Sequence, residues 1–279
     1  MFRTDPVFTV KNVRAAFTLI ELLVVIAILG ILMGITLPAI QRFRDYGPRL
    51  EARNDIAQLD SAIANFKSTY NVQYIPAGIW LQPTYNQGNI PERESFTYLK
   101  KVFGRAASGY TFPTTATVRL NGNQTLMFFL TGGPYVTPNP YMGFSPSSTN
   151  PLGGSGNRNL FMDIKSNKFN AAGEYIDPWG TPYAYFSMKN GNDFGSHGVY
   201  YGNSTGGYPV GGQNVQPMLE TTTKFVNSHS HQIISAGKNR AFGCVITPNW
   251  TPGTGVYSTG QAGGDDLANF AQKMLSANP

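Results

Sequence analysis

The chain has 279 residues, with 21 Lys+Arg against 15 Asp+Glu for a formal charge of +6. Hydrophobic residues make up 41% and aromatic residues 13%, which excludes a disordered or collagen-like chain and implies a folded, loop-rich body with 31 Gly and 19 Pro. A single cysteine, Cys244, excludes an intramolecular disulfide and any zinc site built from several cysteines.

The positive charge is thinly spread. Residues 1–16 carry Arg3, Lys11 and Arg14 against Asp5. Residues 17–40 carry one charged side chain, Glu21, and no basic run in the chain is longer than Lys100-Lys101. Nucleic-acid footprints are clustered patches or stripes, so DNA or RNA is not expected as a partner.

Residues 17–40 read FTLIELLVVIAILGILMGITLPAI. As a helix this run is about 36 Å long, enough to cross a hydrocarbon core of about 30 Å. Lys11 and Arg14 before it favour a cytoplasmic N-terminus, whereas Arg42 and Arg44 beyond it pull the other way. A conventional secretory signal has a shorter apolar region followed by a small-residue cut site. Here the small pair Ala15-Ala16 precedes the apolar run. Glu21 has two readings: an acid in the first helical turn favoured by the helix dipole, or a carboxylate that needs a positive partner from another chain.

The string Arg14-Ala-Ala-Phe-Thr-Leu-Ile-Glu-Leu22 resembles the processing and methylation motif of type IV prepilins and type II secretion pseudopilins. Phe17 stands as first mature residue, Glu21 as the fifth, and Pro38 where pilin helices carry a kink-forming proline. Ala16 departs from the glycine usual at that place. The resemblance implies cleavage between Ala16 and Phe17 by a prepilin peptidase, N-methylation of Phe17, and pairing of its amine with Glu21 of a neighbouring subunit.

Gly47-Pro48 marks a bend or a helix interruption. Ile56, Leu59, Ile63, Phe66 and Tyr70 then recur at steps of three and four, an amphipathic stripe expected to pack on the protein's own sheet. The division expected is a leader at 1–16, a transmembrane helix at 17–40, its amphipathic continuation at 41–75 and a loop-rich head at 76–279. Shorter helices are expected over 94–103, burying Phe96, Leu99, Val102 and Phe103, and over 123–130, ending at Gly132-Gly133. Residues 131–159 read as a long surface loop.

Asp177-Pro178 and Gly180 supply a turn, and Tyr183 to Met188 alternate as a strand. The block Asp177-Pro-Trp-Gly-Thr-Pro-Tyr183 resembles a signature of the major type II secretion pseudopilin; Gln232–Gly237 and Asp265–Phe270 resemble its later strand and acidic closing segment. The insertions at 80–165 and 188–230 exceed a minimal pseudopilin. The resemblance raises calcium as a cofactor, with Asp265, Asp266 and the side-chain oxygen of Asn239 as candidate ligands, since hard cations take several oxygens. The competing reading has Asp265-Asp266 opening a C-terminal helix.

His229 and His231 could share one strand face and hold a transition metal, but His197 stands apart, so a polar turn is the simpler reading. Cys244 reads as a buried thiol, Gly206-Gly207 and Gly211-Gly212 as turns, and Tyr200, Tyr201 and Tyr208 as strand-packing aromatics before sugar or partner contacts. No paired-carboxylate or triad arrangement is found, and an enzyme is not expected.

The fold expected is α+β and pilin-like: one long N-terminal helix packed on an antiparallel-sheet head with long loops. The function expected is a pseudopilin of a type II secretion-like filament supporting protein export. Its expected site is the bacterial inner membrane, with the N-terminus cytoplasmic and the head periplasmic. The expected partners are the peptidase, other pilin or pseudopilin subunits, an inner-membrane assembly platform and membrane lipid. Two alternatives stand beside it: a type IV pilin for adhesion or DNA uptake, and a membrane-tethered ligand-binding head that does not polymerise.

Overall fold

The computed structural model describes residues 17–104, 117–135, 140–146, 151–152, 158–187, 208–221, 224–245, 250, 257, 261–271 and 274–275. The chain divides into two compact units, Met1–Gly47 and Pro48–Pro279.

Helix α1 (Leu19–Tyr70) contributes to both units. In the first, Leu19–Leu37 is apolar on every side and none of it is buried within the protein. A helix hydrophobic all round needs an apolar environment, and the described residues do not provide one. The interruption expected at Gly47-Pro48 does not occur, since α1 continues through both residues. Proline lacks one amide donor and crowds the preceding turn, but flanking hydrogen bonds can carry a helix past it.

In the second unit α1 buries Ala52, Ile56, Leu59, Ala62, Ile63 and Phe66, the face set by the three-and-four spacing. It ends where Asn71 takes a left-handed φ of 51° and the Val72 amide returns to the Lys67 carbonyl. Strand β1 (Ile79–Leu81) follows, then α2 (Ile90–Phe103), which starts with Pro91 in its first turn and ends at Gly104. Its buried side is Ser95, Tyr98, Leu99, Val102 and Phe103; Phe96 is only half-buried and packs on Tyr85. Strand β2 (Val118–Leu120) pairs antiparallel with β1.

Helix α3 (Gly122–Thr131) is buried along nearly its whole length and closes at left-handed Gly132. The stretch beyond it is not wholly a surface loop. Phe144 and Leu152 are buried, and Phe144 bridges Asn159. Aromatic side chains from this insertion help fill the core: Phe128 meets Phe144, and Phe161 meets Phe66 edge-on at 5.1 Å.

Strand β3 (Ala184–Ser187) comes next, then the hairpin β4 (Tyr208–Val210) and β5 (Gln213–Val215), turned by Gly211-Gly212 at φ 54° and 82°. Two successive positive φ values suit glycine. A small antiparallel pair, β6 (Leu219–Thr221) and β7 (Lys224–Phe225), precedes β8 (His231–Ser235). Strand β9 is Leu267–Ala268. Strands β3, β8 and β9 form an antiparallel sheet in that order.

Both faces of this sheet are covered. Tyr183, Tyr185, Ile233 and Leu267 join the core that includes α1 residues Ile56 and Phe66. Ala184, Phe186, Ile234 and Ala268 join a second core with Tyr208, Val215, Phe242, Cys244 and Trp250. The period-two alternation expected over 183–188 therefore sorts side chains between two interiors, not between interior and water. The architecture is α+β with an apolar N-terminal helix and antiparallel sheets, consistent with a pilin-like fold.

Asp265-Asp266 do not open a helix. Residues 265–271 form turns and β9, with the Asn269 amide donating to the Ile233 carbonyl. Pairing of Leu267 and Ala268 with Ser235 and Ile234 supplies partners that an isolated amphipathic turn would lack.

Candidate functional site

The start of α1 is built by a reciprocal cap. The Thr18 amide and hydroxyl both donate to Glu21 Oε2 at 2.8 Å, and the Glu21 amide donates to Thr18 Oγ1 at 3.3 Å. This is the capping box written by Thr-x-x-Glu, which satisfies donors that the first turn leaves over. Glu21 thus has a partner inside its own chain, Thr18, that reasoning from the helix dipole missed; the Thr18–Glu21 spacing was the available signal.

Only one carboxylate oxygen is used. Glu21 Oε1 takes no hydrogen bond among the described residues. Phe17 is 74% exposed immediately before the cap. Chemically, this arrangement offers one acid with an acceptor vacant among the described residues, on the otherwise uncharged first part of α1, Leu19–Ile40. Pro38 lies within α1, while Ala16 and the rest of 1–16 lie outside the described residues.

The head blocks singled out by resemblance converge on the central sheet. Asp177 Oδ1 accepts from the Trp179 and Thr181 amides at 3.0 and 2.9 Å, fixing the turn, and Oδ2 accepts from the Ser235 hydroxyl at 2.7 Å. Asn269 Oδ1 accepts from the Ile233 amide at 3.0 Å. Burial pushes the Asp177 carboxyl upward against the pull of these hydrogen bonds. The three blocks act as the joints that tie β3, β8 and β9 together.

The calcium candidates are only partly brought together. Asp265 Oδ2 accepts from the Asn239 amide at 2.9 Å, while the Asn239 side-chain oxygen accepts from the Ala241 amide at 2.8 Å. Asp266 turns inward: it is fully buried, Oδ2 accepts from the Gly243 amide at 3.0 Å, and Oδ1 has no partner among the described residues. Burial drives its carboxyl well above the ordinary carboxylate range, and the nearby Asp265 and Asp177 charges push the same way. Among the described residues no group of three His, Cys, Asp or Glu is arranged to hold a metal ion.

The two histidines separate. His229 lies in an exposed turn, whereas His231 opens β8 and meets Asp60 of α1 through Nε2 at 2.7 Å. Asn269 also donates to Asp60, at 3.3 Å, so one α1 acid ties down two strand-bearing segments. A second tie is Asp55, which is buried and accepts from Lys168 at 2.9 Å and from the Tyr183 hydroxyl at 3.0 Å. Burial opposes the Lys168 ammonium, but its bonds to Glu51 and Asp55 prevail and raise its proton affinity. Asp55 and Asp60 carry no signature of these partners in sequence, because both contacts reach residues more than a hundred positions away.

Cys244 is buried, and burial pushes its thiol far up, which suits a packing role and not a nucleophile. Tyr208 is buried in β4, its hydroxyl donating to the Tyr185 carbonyl and accepting from the Tyr185 amide. His197, Tyr200, Tyr201 and Gly206-Gly207 lie outside the described residues.

The comparisons agree with the N-terminal geometry. Residues 11–37 match the family model described as the prokaryotic N-terminal methylation motif. The chain is similar to the fimbrial protein EcpC of Eikenella corrodens, 39% identical over 70 residues, covering 25% of this chain and 41% of that relative. No solved structure matches.

Proposed function

We infer that this type IV pilin-like chain, anchored in a membrane by Leu19–Leu37, is a structural filament subunit cut between Ala16 and Phe17. The observation that carries this reading is Glu21 Oε1, a carboxylate oxygen vacant among the described residues, beside the proposed new N-terminus on the exposed, apolar segment Leu19–Leu37. Cleavage creates a positive amine at Phe17, which prepilin peptidase then methylates. The amine of one subunit seeks the acid of another because an unpaired charge in hydrocarbon is costly, about 3–5 kcal/mol when one partner of a buried pair is lost. Axial register follows from that pairing. Lateral cohesion comes from the apolar faces, which reach partners only in lipid or in a filament.

The finer reading is a type II secretion pseudopilin supporting protein export. It rests on the Asp177–Tyr183 turn and on its bonding to the later strand through Ser235. In this reading Lys11 and Arg14 hold the leader on the cytoplasmic side of the bacterial inner membrane. The head then lies in the periplasm, and an assembly platform draws subunits out of lipid. The alternative is a surface pilus for adhesion or DNA uptake, favoured by the similarity to a fimbrial protein.

Mass spectrometry of the mature N-terminus tests the processing step. Methylated Phe17 is expected, and an intact Met1 overturns it. Glu21→Gln tests assembly, because glutamine can still close the capping box while losing the charge. Membrane insertion is expected to persist and filament yield to fall sharply; a normal yield removes the charge pair from the mechanism. Electron microscopy then separates short periplasmic filaments from long surface fibres.

A further inference from the structure

Within the second unit, the exposed side of α1 forms one wall of an open groove of about 560 Å³, faced by residues 161–163. That size lies within the range of small-molecule sites. Asn54, Gln58 and Asn65 stand along the helix wall, and Asp163 stands opposite. All four are exposed, and none has a side-chain hydrogen bond or ion pair among the described residues. Ser61 also lines the groove, but its hydroxyl donates to the Ala57 carbonyl at 3.0 Å. The floor is apolar, from Ala62 and Met162, with Phe161 at the edge.

The chemistry of these groups selects a ligand. Three carboxamides supply paired donors and acceptors on rigid planes, and Asp163 adds two acceptors. Among the described residues no Lys, Arg or His lines the groove, so none of them balances an anion, and the carboxylate repels one. An exposed helix face in water usually carries charged side chains. Here the exposed α1 positions from Asn54 to Thr69 are uncharged, and the exposed charges Glu51 and Arg53 lie outside the groove lining. A ligand with many neutral hydroxyls and an apolar C–H face satisfies both the amide rows and the floor.

We propose that this groove binds a neutral oligosaccharide, held by Asn54, Gln58, Asn65 and Asp163. Adjacent hydroxyls pair with the two ends of each amide or carboxylate, and the sugar's apolar face lies over Ala62 and Met162.

The test is titration calorimetry on the purified full chain in detergent micelles. The probes are maltotriose and chitotriose as neutral sugars, a sulfated disaccharide as the anionic control, and tri-alanine as the peptide control. Saturable binding of at least one neutral sugar is expected, insensitive to salt and without binding of the anionic control. Gln58→Ala combined with Asp163→Ala is expected to weaken it by about tenfold or more, given the modest net worth of each hydrogen bond. Both side chains are exposed, so melting temperature should stay unchanged. Absence of saturable binding by either neutral sugar at 10 mM (roughly the weak limit for a useful site) overturns the proposal. Affinity unchanged in the double variant overturns it too, and binding of tri-alanine alone assigns the groove to polypeptide.

Discussion

Asp266 shows how one buried side chain couples the head to pH. Its carboxyl is enclosed, with Oδ1 unpartnered among the described residues, and holds a proton far more tightly folded than unfolded. The stability contributed by that proton is complete below about pH 4, the ordinary carboxylate value, and is lost as pH rises through the folded value. Asp177 titrates in the same direction, by burial. Asp266→Asn keeps an acceptor for the Gly243 amide and removes the ionisation. The variant's melting temperature should match the parent's near pH 4 and exceed it by a margin that widens toward pH 8. A constant margin across that range would show that Asp266 is not the titrating group.

Side-chain capping marks where α1 and α3 begin, and here local chemistry carries most of the information. Asn121 caps α3 by accepting from the Gln124 amide at 2.9 Å, while Gln124 Oε1 accepts from the Asn121 amide at 3.1 Å. The Asn121 side-chain Nδ2 donates to Glu174 Oε1 at 2.5 Å, linking α3 to the segment before β3. Asn121→Ala should therefore cost about 1–2 kcal/mol, at the upper part of the usual range for a lost cap. The check is the midpoint of urea unfolding; a shift within error would mean that water replaces the cap. Asn121-x-x-Gln124 and Thr18-x-x-Glu21 are local signals of these starts, yet the third helix was expected only from 123 and the Thr18 cap was missed. The C-terminal segment was not legible in the sequence. Asp-Asp followed by an amphipathic run favours a helix locally, but Ile233, Ile234 and Ser235 offer backbone partners for residues 267–269, and those partners lie about thirty residues away in sequence.

Across the head, α1 unites elements distant in sequence. Leu59 is fully buried in the core shared with α2, α3 and the sheet, and Asp55 and Asp60 flank it with ties to Lys168, Tyr183 and His231. Leu59→Ala should lower stability by about 2–5 kcal/mol through lost burial and the cavity left behind. Chemical denaturation of the full chain in detergent measures it, and a loss below 1 kcal/mol (less than about one buried methylene) would mean that α1 is not integral to the head core. The first unit behaves differently: Leu19–Leu37 buries nothing in its own chain, so its substitutions should act on insertion and assembly and leave head stability unchanged.

The sequence by itself determined the features whose causes are local or periodic. These are the apolar span, the acid at Glu21, the three-and-four stripe of α1, the Asp177 turn and the glycine end of α3. Each depends on residues within a turn or two of one another, where spacing translates directly into geometry. Tertiary structure alone decided that the 131–159 insertion gives Phe144 to the core, that residues 265–271 pair in a sheet, and that Asp266 is interior while Asp265 meets Asn239. It also decided that α1 acids meet His231 and Tyr183. Those outcomes depend on which distant backbone and side-chain groups arrive as neighbours, and burial makes an unsatisfied polar group or an unfilled volume costly enough to override local preference.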